Sequence, residues 1–380
     1  MVRAPNVLFL SAVEPSGDRL GASLVRGLRD AGFDGRIVGL GGPLMVREGL
    51  ETVAGIPPAK SGFWDVLPSL PAYVHACRAL KERLFSAPYA TWIAIDAPDF
   101  HESLLHHAAR GGVRCGWLAP PQAWAWRSTR ADRLAAAKIP LGVLFPFERR
   151  FFLERGCRAT LLGHPMRRTV ETPSEPGREL LLLPGSRPAQ FRRNLEWQLR
   201  LWAEFRRLPL PGASVSGARA VCASERCEQI ARRVAESGRF PEFAVSRAAE
   251  DSRANASAAL CCPGTASLEL ALDGIPTAVT MKLDPVTAFL ARRMVKLRRL
   301  ALPNLLLDGD HLPEAIFGPW DEPDPPRLAE RFARSFEVQR PRCAEISRRL
   351  ELTLGARDFA ARAADWVREV SDGLLQGLQK

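Results

Sequence analysis

The run Thr91-Trp92-Ile93-Ala94-Ile95-Asp96-Ala97-Pro98-Asp99-Phe100 decides the fold. Its first five residues are apolar or β-branched, the composition of a strand buried on both faces of a parallel sheet. The run stops at a carboxylate, and Pro98 removes the backbone donor that a continuing strand would need. Ligands of open α/β sheets bind beyond the carboxyl ends of the strands. Asp96 therefore stands either where a cleft carboxylate would stand or at the cap of the next helix.

Working outward, strand-like runs occur at 6–12, 36–40, 113–118, 141–145 and 159–162, with helical patterns such as 18–31 and 76–85 between them. This alternation predicts a parallel sheet with right-handed crossovers. Glu171-Thr-Pro-Ser-Glu-Pro-Gly-Arg178 reads as a linker. A second alternating series follows at 179–183, 219–223, 258–262 and 277–281. Asp321-Glu-Pro-Asp-Pro-Pro326 is another break, ahead of helical segments at 327–353 and 358–378. The expected class is α/β, with two tandem Rossmann-like, doubly wound domains over 1–170 and 171–354 facing each other across a cleft.

Bulk properties agree with that size. A chain of 380 residues accommodates about two domains, and 46% hydrophobic with 25% charged residues is ordinary for a globular protein. No stretch reaches the length of apolar sequence that a membrane-spanning helix needs. The apolar run near the N-terminus is too short for a signal peptide and reads as a first strand. The 8 cysteines form no CxxC pairs or His-Cys clusters, so no metal is expected, and their apolar settings favour a reducing cytoplasm. The formal charge of +11 favours anionic partners: nucleic acid, an anionic membrane surface or phosphorylated substrates.

The turns after the strands carry the chemistry-bearing residues. Ser11-Ala-Val-Glu14-Pro-Ser16-Gly17-Asp18 opens a helix: Ser16 can cap it, Gly17 lets something approach the backbone, and Glu14 faces the expected cleft. No GxGxxG is present, so a dinucleotide site is not expected. Gly39-Leu-Gly41-Gly42-Pro43 is either a backbone held close to a neighbour or a tight turn. Pro184-Gly185-Ser186-Arg187 places a planar cation at a strand end, suited to phosphate or simply solvated. In Cys261-Cys-Pro-Gly264-Thr265-Ala266-Ser-Leu-Glu269, backbone N–H groups near Gly264, Thr265 and Ala266 can cradle a diphosphate. Glu269 can accept from ribose hydroxyls or answer the helix dipole. Trp124-Ala-Trp126-Arg127 suits stacking or packing. Phe63, Trp64, Val66, Leu67 and Leu70 make an apolar stretch that is either core or a lipid-facing patch. Between 289 and 299, Leu290, Met294 and Leu297 fall at i, i+4 and i+7, with Arg292, Lys296 and Arg299 at the same spacing on an adjoining face. This is either a basic amphipathic helix suited to an anionic membrane surface or an acceptor phosphate, or a solvated face over a core stripe.

Taken in order, these motifs resemble the lipid-A-disaccharide synthase family of GT-B glycosyltransferases nearly end to end. They are Glu14-Pro-Ser-Gly-Asp18, Gly41-Gly-Pro-Leu-Met45, Ile95-Asp-Ala-Pro-Asp-Phe100 and Trp124-Ala-Trp-Arg127. Phe145-Pro-Phe-Glu148, Gly163-His-Pro165, Leu183-Pro-Gly-Ser-Arg187, Gly264-Thr-Ala-Ser-Leu-Glu269 and Leu302-Pro-Asn-Leu305 follow. The resemblance implies an inverting transfer from UDP-2,3-diacylglucosamine to 2,3-diacylglucosamine 1-phosphate, without metal or other cofactor. It implies Asp96 as base, with Glu14 and Ser16 beside it. Arg187, Ser186, Gly264, Thr265, Ala266 and Glu269 would hold UDP, with Asn304 a further polar site residue. It also implies that the helix over 355–380 returns to the first domain. The enzyme would dock peripherally on the cytoplasmic face of the inner membrane of a Gram-negative-type bacterium, through the patch at 63–70. The chain departs from the family at Pro263, where Ser is usual, and at Phe317, where Gln is common. Another GT-B UDP-sugar enzyme, with a different lipid or peptidoglycan-precursor acceptor or an epimerase activity, is the alternative, as is a divergent homologue of low activity. Nucleic acid is not an expected partner, because no nucleic-acid motif accompanies the charge; the oligomeric state is left open.

Overall fold

A computed structural model describes residues 7–53, 80, 91–125, 127–169, 177–208, 215–247, 249–294 and 298–372. The chain divides into two compact units, one running to Pro165 and resuming at Leu354, the other Met166–Thr353. The apolar stretch at 63–70 and most of the helical pattern at 76–85 lie outside the described residues.

In the first unit the strands are β1 (Val7–Ala12), β2 (Arg36–Leu40), β3 (Glu51–Thr52), β4 (Thr91–Ile95), β5 (Cys115–Leu118), β6 (Leu141–Val143) and β7 (Ala159–Leu161). They form one sheet in the order β3-β2-β1-β4-β5-β6-β7. Every pairing is parallel. β4 is buried throughout, which is why its sequence carries no polar alternation. Trp92 within it and Phe9 and Trp117 on the strands beside it are wholly enclosed, each stabilising the unit by about 1.5–3 kcal/mol. β3 was not anticipated: it has two residues, both exposed, and so no apolar run to announce it.

The helix Phe359–Asp372 completes this unit. Trp366 is buried, and its ring lies over Gly116 of β5 and Gly142 of β6, where added Cβ atoms would come within 3.1 and 3.3 Å of it. Two glycines inside strands thus leave room for one indole. On its other side the helix meets Pro15–Asp30, where a Cβ on Gly27 would lie 2.3 Å from the Ala360 carbonyl oxygen. Thr91 Oγ1 donates to Ser371 Oγ at 2.8 Å, and Arg368 Nη2 to the Ala31 carbonyl at 2.6 Å.

The second unit has β8 (Glu179–Leu183), β9 (Gly217–Val221), β10 (Ala244–Ser246), β11 (Ala256–Cys261), β12 (Thr277–Lys282) and β13 (Glu314–Phe317). Their order is β10-β9-β8-β11-β12-β13, again parallel. β10 and β13 are short and only partly buried, so neither reads as a strand in sequence. The helical segment expected at 327–353 is two helices, Pro325–Gln339 and Cys343–Leu354, separated by a 3-10 turn that contains Pro341. On the helix Pro285–Met294 Leu290 is 47% exposed, which goes against the core-stripe reading there, while Lys296 and Leu297 lie outside the described residues. The basic face does not stand free either: Arg292 pairs with Asp321, and Arg299 with Asp308 and Asp310. No described helix is long and apolar enough to cross a membrane.

Candidate functional site

Both sheets reverse direction of winding after their first strand, between β1 and β4 in one unit and between β8 and β11 in the other. Such switch points open a crevice at the carboxyl edge, where ligands of this architecture bind. At the first, Ala12 lies opposite Ile95, so the turns holding Ser16 and Asp96 leave the sheet side by side. Ser16 Oγ donates to Asp96 Oδ2 at 2.6 Å. The helix Pro15–Asp30 has Glu14 at its N-cap position, and Ser16 spends its hydroxyl across the crevice rather than on the cap it was expected to make. Asp96 Oδ1 has no hydrogen-bond partner among the described residues. Glu14 is half-buried at the same edge.

Gly17 is explained by the sheet rather than by a ligand. A Cβ there would lie 3.3 Å from the Ile95 carbonyl and 3.7 Å from Asp96 Cβ. The glycines at the end of β2 and in the turn after it are also accounted for within the protein. Gly39 has φ 146°, and a Cβ would sit 1.8 Å from the Leu10 carbonyl oxygen. The backbone N–H groups of Leu44 and Met45 donate to the Asp18 carboxylate at 3.1 and 3.0 Å.

Asp96 and Ala97 have φ 55° and 48°, both left-handed and both non-glycine. Such residues cost of order 1–3 kcal/mol each and persist where their surroundings impose them. The Asp96 carbonyl accepts from His101 Nδ1 at 2.8 Å and from Trp117 Nε1 at 3.2 Å. A carbonyl only accepts, so Nδ1 of His101 carries the proton, and Nε2 is left to accept from Ser11 Oγ at 2.9 Å. Ser11 in turn accepts from Trp92 Nε1 at 2.9 Å. His101 is fully buried, and burial lowers its pKa to about 4, so the chain of donors is built on a neutral ring. Sequence reading missed His101 because its partner Ser11 lies 90 residues away.

Glu148 was also missed as a site neighbour. It is 5% exposed and accepts from the Leu144 and Phe145 N–H groups and from Trp124 Nε1, all at 3.1 Å. Burial raises its pKa to about 7, and the charge of Asp96 contributes to the rise. Trp124 packs edge-on to Phe147 at 4.8 Å, so this aromatic has a packing role; Trp126 lies outside the described residues.

At the second switch point, Cys261 lies opposite Leu183, and Cys262 Sγ donates to the Pro184 carbonyl at 3.2 Å. The turns with Ser186 and Arg187, both exposed, and with Gly264 are thereby adjacent. Gly264 has φ 140° and ψ −163°, a conformation that favours glycine, and a Cβ there would meet nothing within 4 Å. Thr265 and Ala266 open the helix Thr265–Leu272, where backbone N–H groups lack partners within the helix. Glu269 is turned to Arg253, which also holds Asp273 at 3.1 Å. The structure does not bring Asn304 into this group as a ligand contact. Its amide donates to Leu312 O and Glu314 Oε1 at 2.8 and 2.7 Å and accepts from the His311 and Leu312 N–H groups at 2.9 and 2.8 Å. All four of its hydrogen-bonding positions are thus used in fixing the loop before β13. Phe317 is buried edge-on against Trp197 at 4.7 Å.

A family model described as lipid-A-disaccharide synthetase matches residues 8–329. The chain belongs to that family. It is 32% identical over 356 residues to the lipid-A-disaccharide synthase of Neisseria meningitidis serogroup C, covering 87% of this chain and 88% of that one. It is 32% identical over 380 residues to the synthase of Azotobacter vinelandii, covering 96% and 97%. The fold is that of GT-B glycosyltransferases. A glycosyltransferase from Rickettsia africae superposes with a TM-score of 0.57 at 11% identity, over 98% of this chain and 99% of that one. The lipid-A-disaccharide synthetase match takes in both switch-point turns, from Ser16 and Asp96 to Arg187 and Gly264, and stops short of the closing helix. Among the described residues no cluster of three His, Cys, Asp or Glu could hold a metal ion.

Proposed function

We propose that this protein joins UDP-2,3-diacylglucosamine to 2,3-diacylglucosamine 1-phosphate, forming a β-1,6-linked disaccharide 1-phosphate and releasing UDP. The family match over residues 8–329 carries this reading. The acceptor 6-hydroxyl oxygen bonds to the anomeric carbon as the bond from that carbon to the diphosphate oxygen breaks. The hydroxyl proton passes to Asp96, and the electron pair leaves with UDP. A base needs an open oxygen, and Asp96 Oδ1 is open, while the Ser16 hydroxyl on Oδ2 steadies the charge. The negative charge on departing UDP falls to Arg187, Ser186 and the N-terminus of the helix at Thr265. The first unit, on this reading, supplies the base and serves the acceptor, and the second holds the donor. Glu14 lies in the polar edge beside Asp96, and Glu269, held by Arg253, is directed to the ribose. Asn304 acts through the loop it fixes.

The acyl chains of both substrates belong to a bilayer, so the enzyme works as a peripheral protein on the cytoplasmic face of the inner membrane. The test is a disaccharide assay in detergent, read by mass spectrometry, with an Asp96→Asn control. The expected result is disaccharide and UDP from the wild type, and a kcat lower by about 10²- to 10⁴-fold in the variant with UDP binding kept. Wild-type protein that binds UDP but makes no disaccharide would redirect the reading to another acceptor.

A further inference from the structure

The second unit carries an apolar surface that the reaction does not explain. Val286 is 69% exposed, Phe289 49%, Leu290 47% and Trp320 60%. The first three stand at i, i+3 and i+4 and so form one stripe along the helix Pro285–Met294. Ala288, on the buried side, packs against Gly318, where a Cβ would lie 2.8 Å from its own. This contact brings Trp320 beside the stripe, and the Arg292 guanidinium lies 5.5 Å from the Trp320 ring centre. Arg293 lies 4.2 Å from the centre of Phe289. Scattered exposed apolar residues need no account, but four large ones gathered on two neighbouring segments do.

The location adds a second argument. The helix follows the carboxyl end of β12, and Trp320 follows the carboxyl end of β13. Arg187 and Gly264 lie at the carboxyl ends of β8 and β11 in the same parallel sheet. Arg193, from the helix that begins after Arg187, donates to the Lys282 carbonyl at 2.9 Å and pairs with Asp284 at 3.5 Å. The stripe is therefore anchored to the turn where the donor diphosphate is proposed to sit.

We propose that Val286, Phe289, Leu290 and Trp320 form a docking surface for an anionic phospholipid bilayer. The proposal rests on the peripheral-membrane reading above and names where the second unit meets the lipid. Charge selects this occupant: Arg293, stacked on Phe289, has no acidic partner among the described residues, and the chain carries a net +11. Exposed aromatic and aliphatic side chains rimmed by arginine are the composition of an interfacial membrane contact. Docking here turns the carboxyl edge of the second sheet toward the lipid, where an acylated donor resides.

The experiment is co-sedimentation with vesicles of phosphatidylglycerol and phosphatidylethanolamine, and with vesicles of phosphatidylcholine alone. Wild-type protein is compared with a Phe289→Ser/Trp320→Ser double variant and with Arg293→Glu. The expected result is binding of the wild type to the anionic vesicles, lowered at least about tenfold by the double variant and about fivefold by the charge reversal. Activity in detergent should stay within about twofold of wild type, because these side chains are outside the proposed chemistry. If the wild type ignores both vesicles, the peripheral reading itself fails. If the double variant binds as the wild type does, this surface is not the contact, while the peripheral reading stands. A wild-type dimer that the double variant turns into a monomer, with vesicle binding unchanged, would give the stripe to a second copy and overturn the proposal.

Discussion

Asp96 owes its position less to its own side chain than to a buried histidine. His101→Leu removes the shorter of two donors to the Asp96 carbonyl and strands Ser11, leaving the left-handed pair with Trp117 Nε1 at 3.2 Å as the remaining donor to that carbonyl. The expected loss is about 10- to 100-fold in kcat, with about 1–3 kcal/mol of stability. His101→Asn puts an amide nitrogen where Nδ1 stands and should recover most of kcat. The pair is checked by steady-state kinetics and urea unfolding. The ring also sets an acid limit. In the native state its pKa is about 4 against the ordinary 6.5, and His164 shares that direction for the same reason, burial. The unfolded chain binds these protons first, so the contribution is whole above pH 6.5 and is lost as pH falls toward 4. Glu148 acts in the opposite sense: with a pKa of about 7 against 4.5, its contribution is whole below pH 4.5 and declines as pH rises toward 7. Comparing wild type with His101→Asn at pH 5 and pH 7.5 isolates the histidine part, and the gap between them should narrow in the variant. Asp96 was legible because a strand end shows in a short apolar run; His101 and Glu148 were not, since their partners meet only after folding.

At the scale of elements, glycine positions carry more of the fold than the helices' own patterns do. Gly27→Leu would drive a side chain into the Ala360 carbonyl and lift the helix Phe359–Asp372 from the helix Pro15–Asp30. A loss of about 1–3 kcal/mol is expected, with the damage confined to the first unit, read by hydrogen exchange at the helices that meet there. Neither Gly116 nor Gly142 signals its purpose locally, because the indole that needs them is Trp366, more than 200 residues on. Strands with long apolar runs, such as β4 and β8, were readable; β3, β10 and β13 were not, being short and partly exposed at or near sheet edges. The helix Pro285–Met294 stayed ambiguous for a different reason. Apolar residues at helical spacing look the same whether the stripe faces a core or solvent, and only the burial of Ala288 tells which side is inside.

For the molecule as a whole, the decisive feature is that the first unit is discontinuous and the second is not. A chain cut after residue 354 loses Trp366 from over β5 and β6 and the bonds from Ser371 and Arg368. Limited proteolysis should then digest the first unit while leaving a resistant fragment of Met166–Thr353. Equal resistance of both would show that the closing helix is dispensable. The same arrangement bears on how the protein is made. A ribosome adds about 5–20 residues per second, and domains ordinarily fold in the order they emerge. Here the opening strands emerge first yet lack their last helix until the entire second unit has been synthesised. The half made later is therefore the first that can be completed. The crevice holding Asp96 reaches its final form only after the turns of Arg187 and Gly264 have already been set.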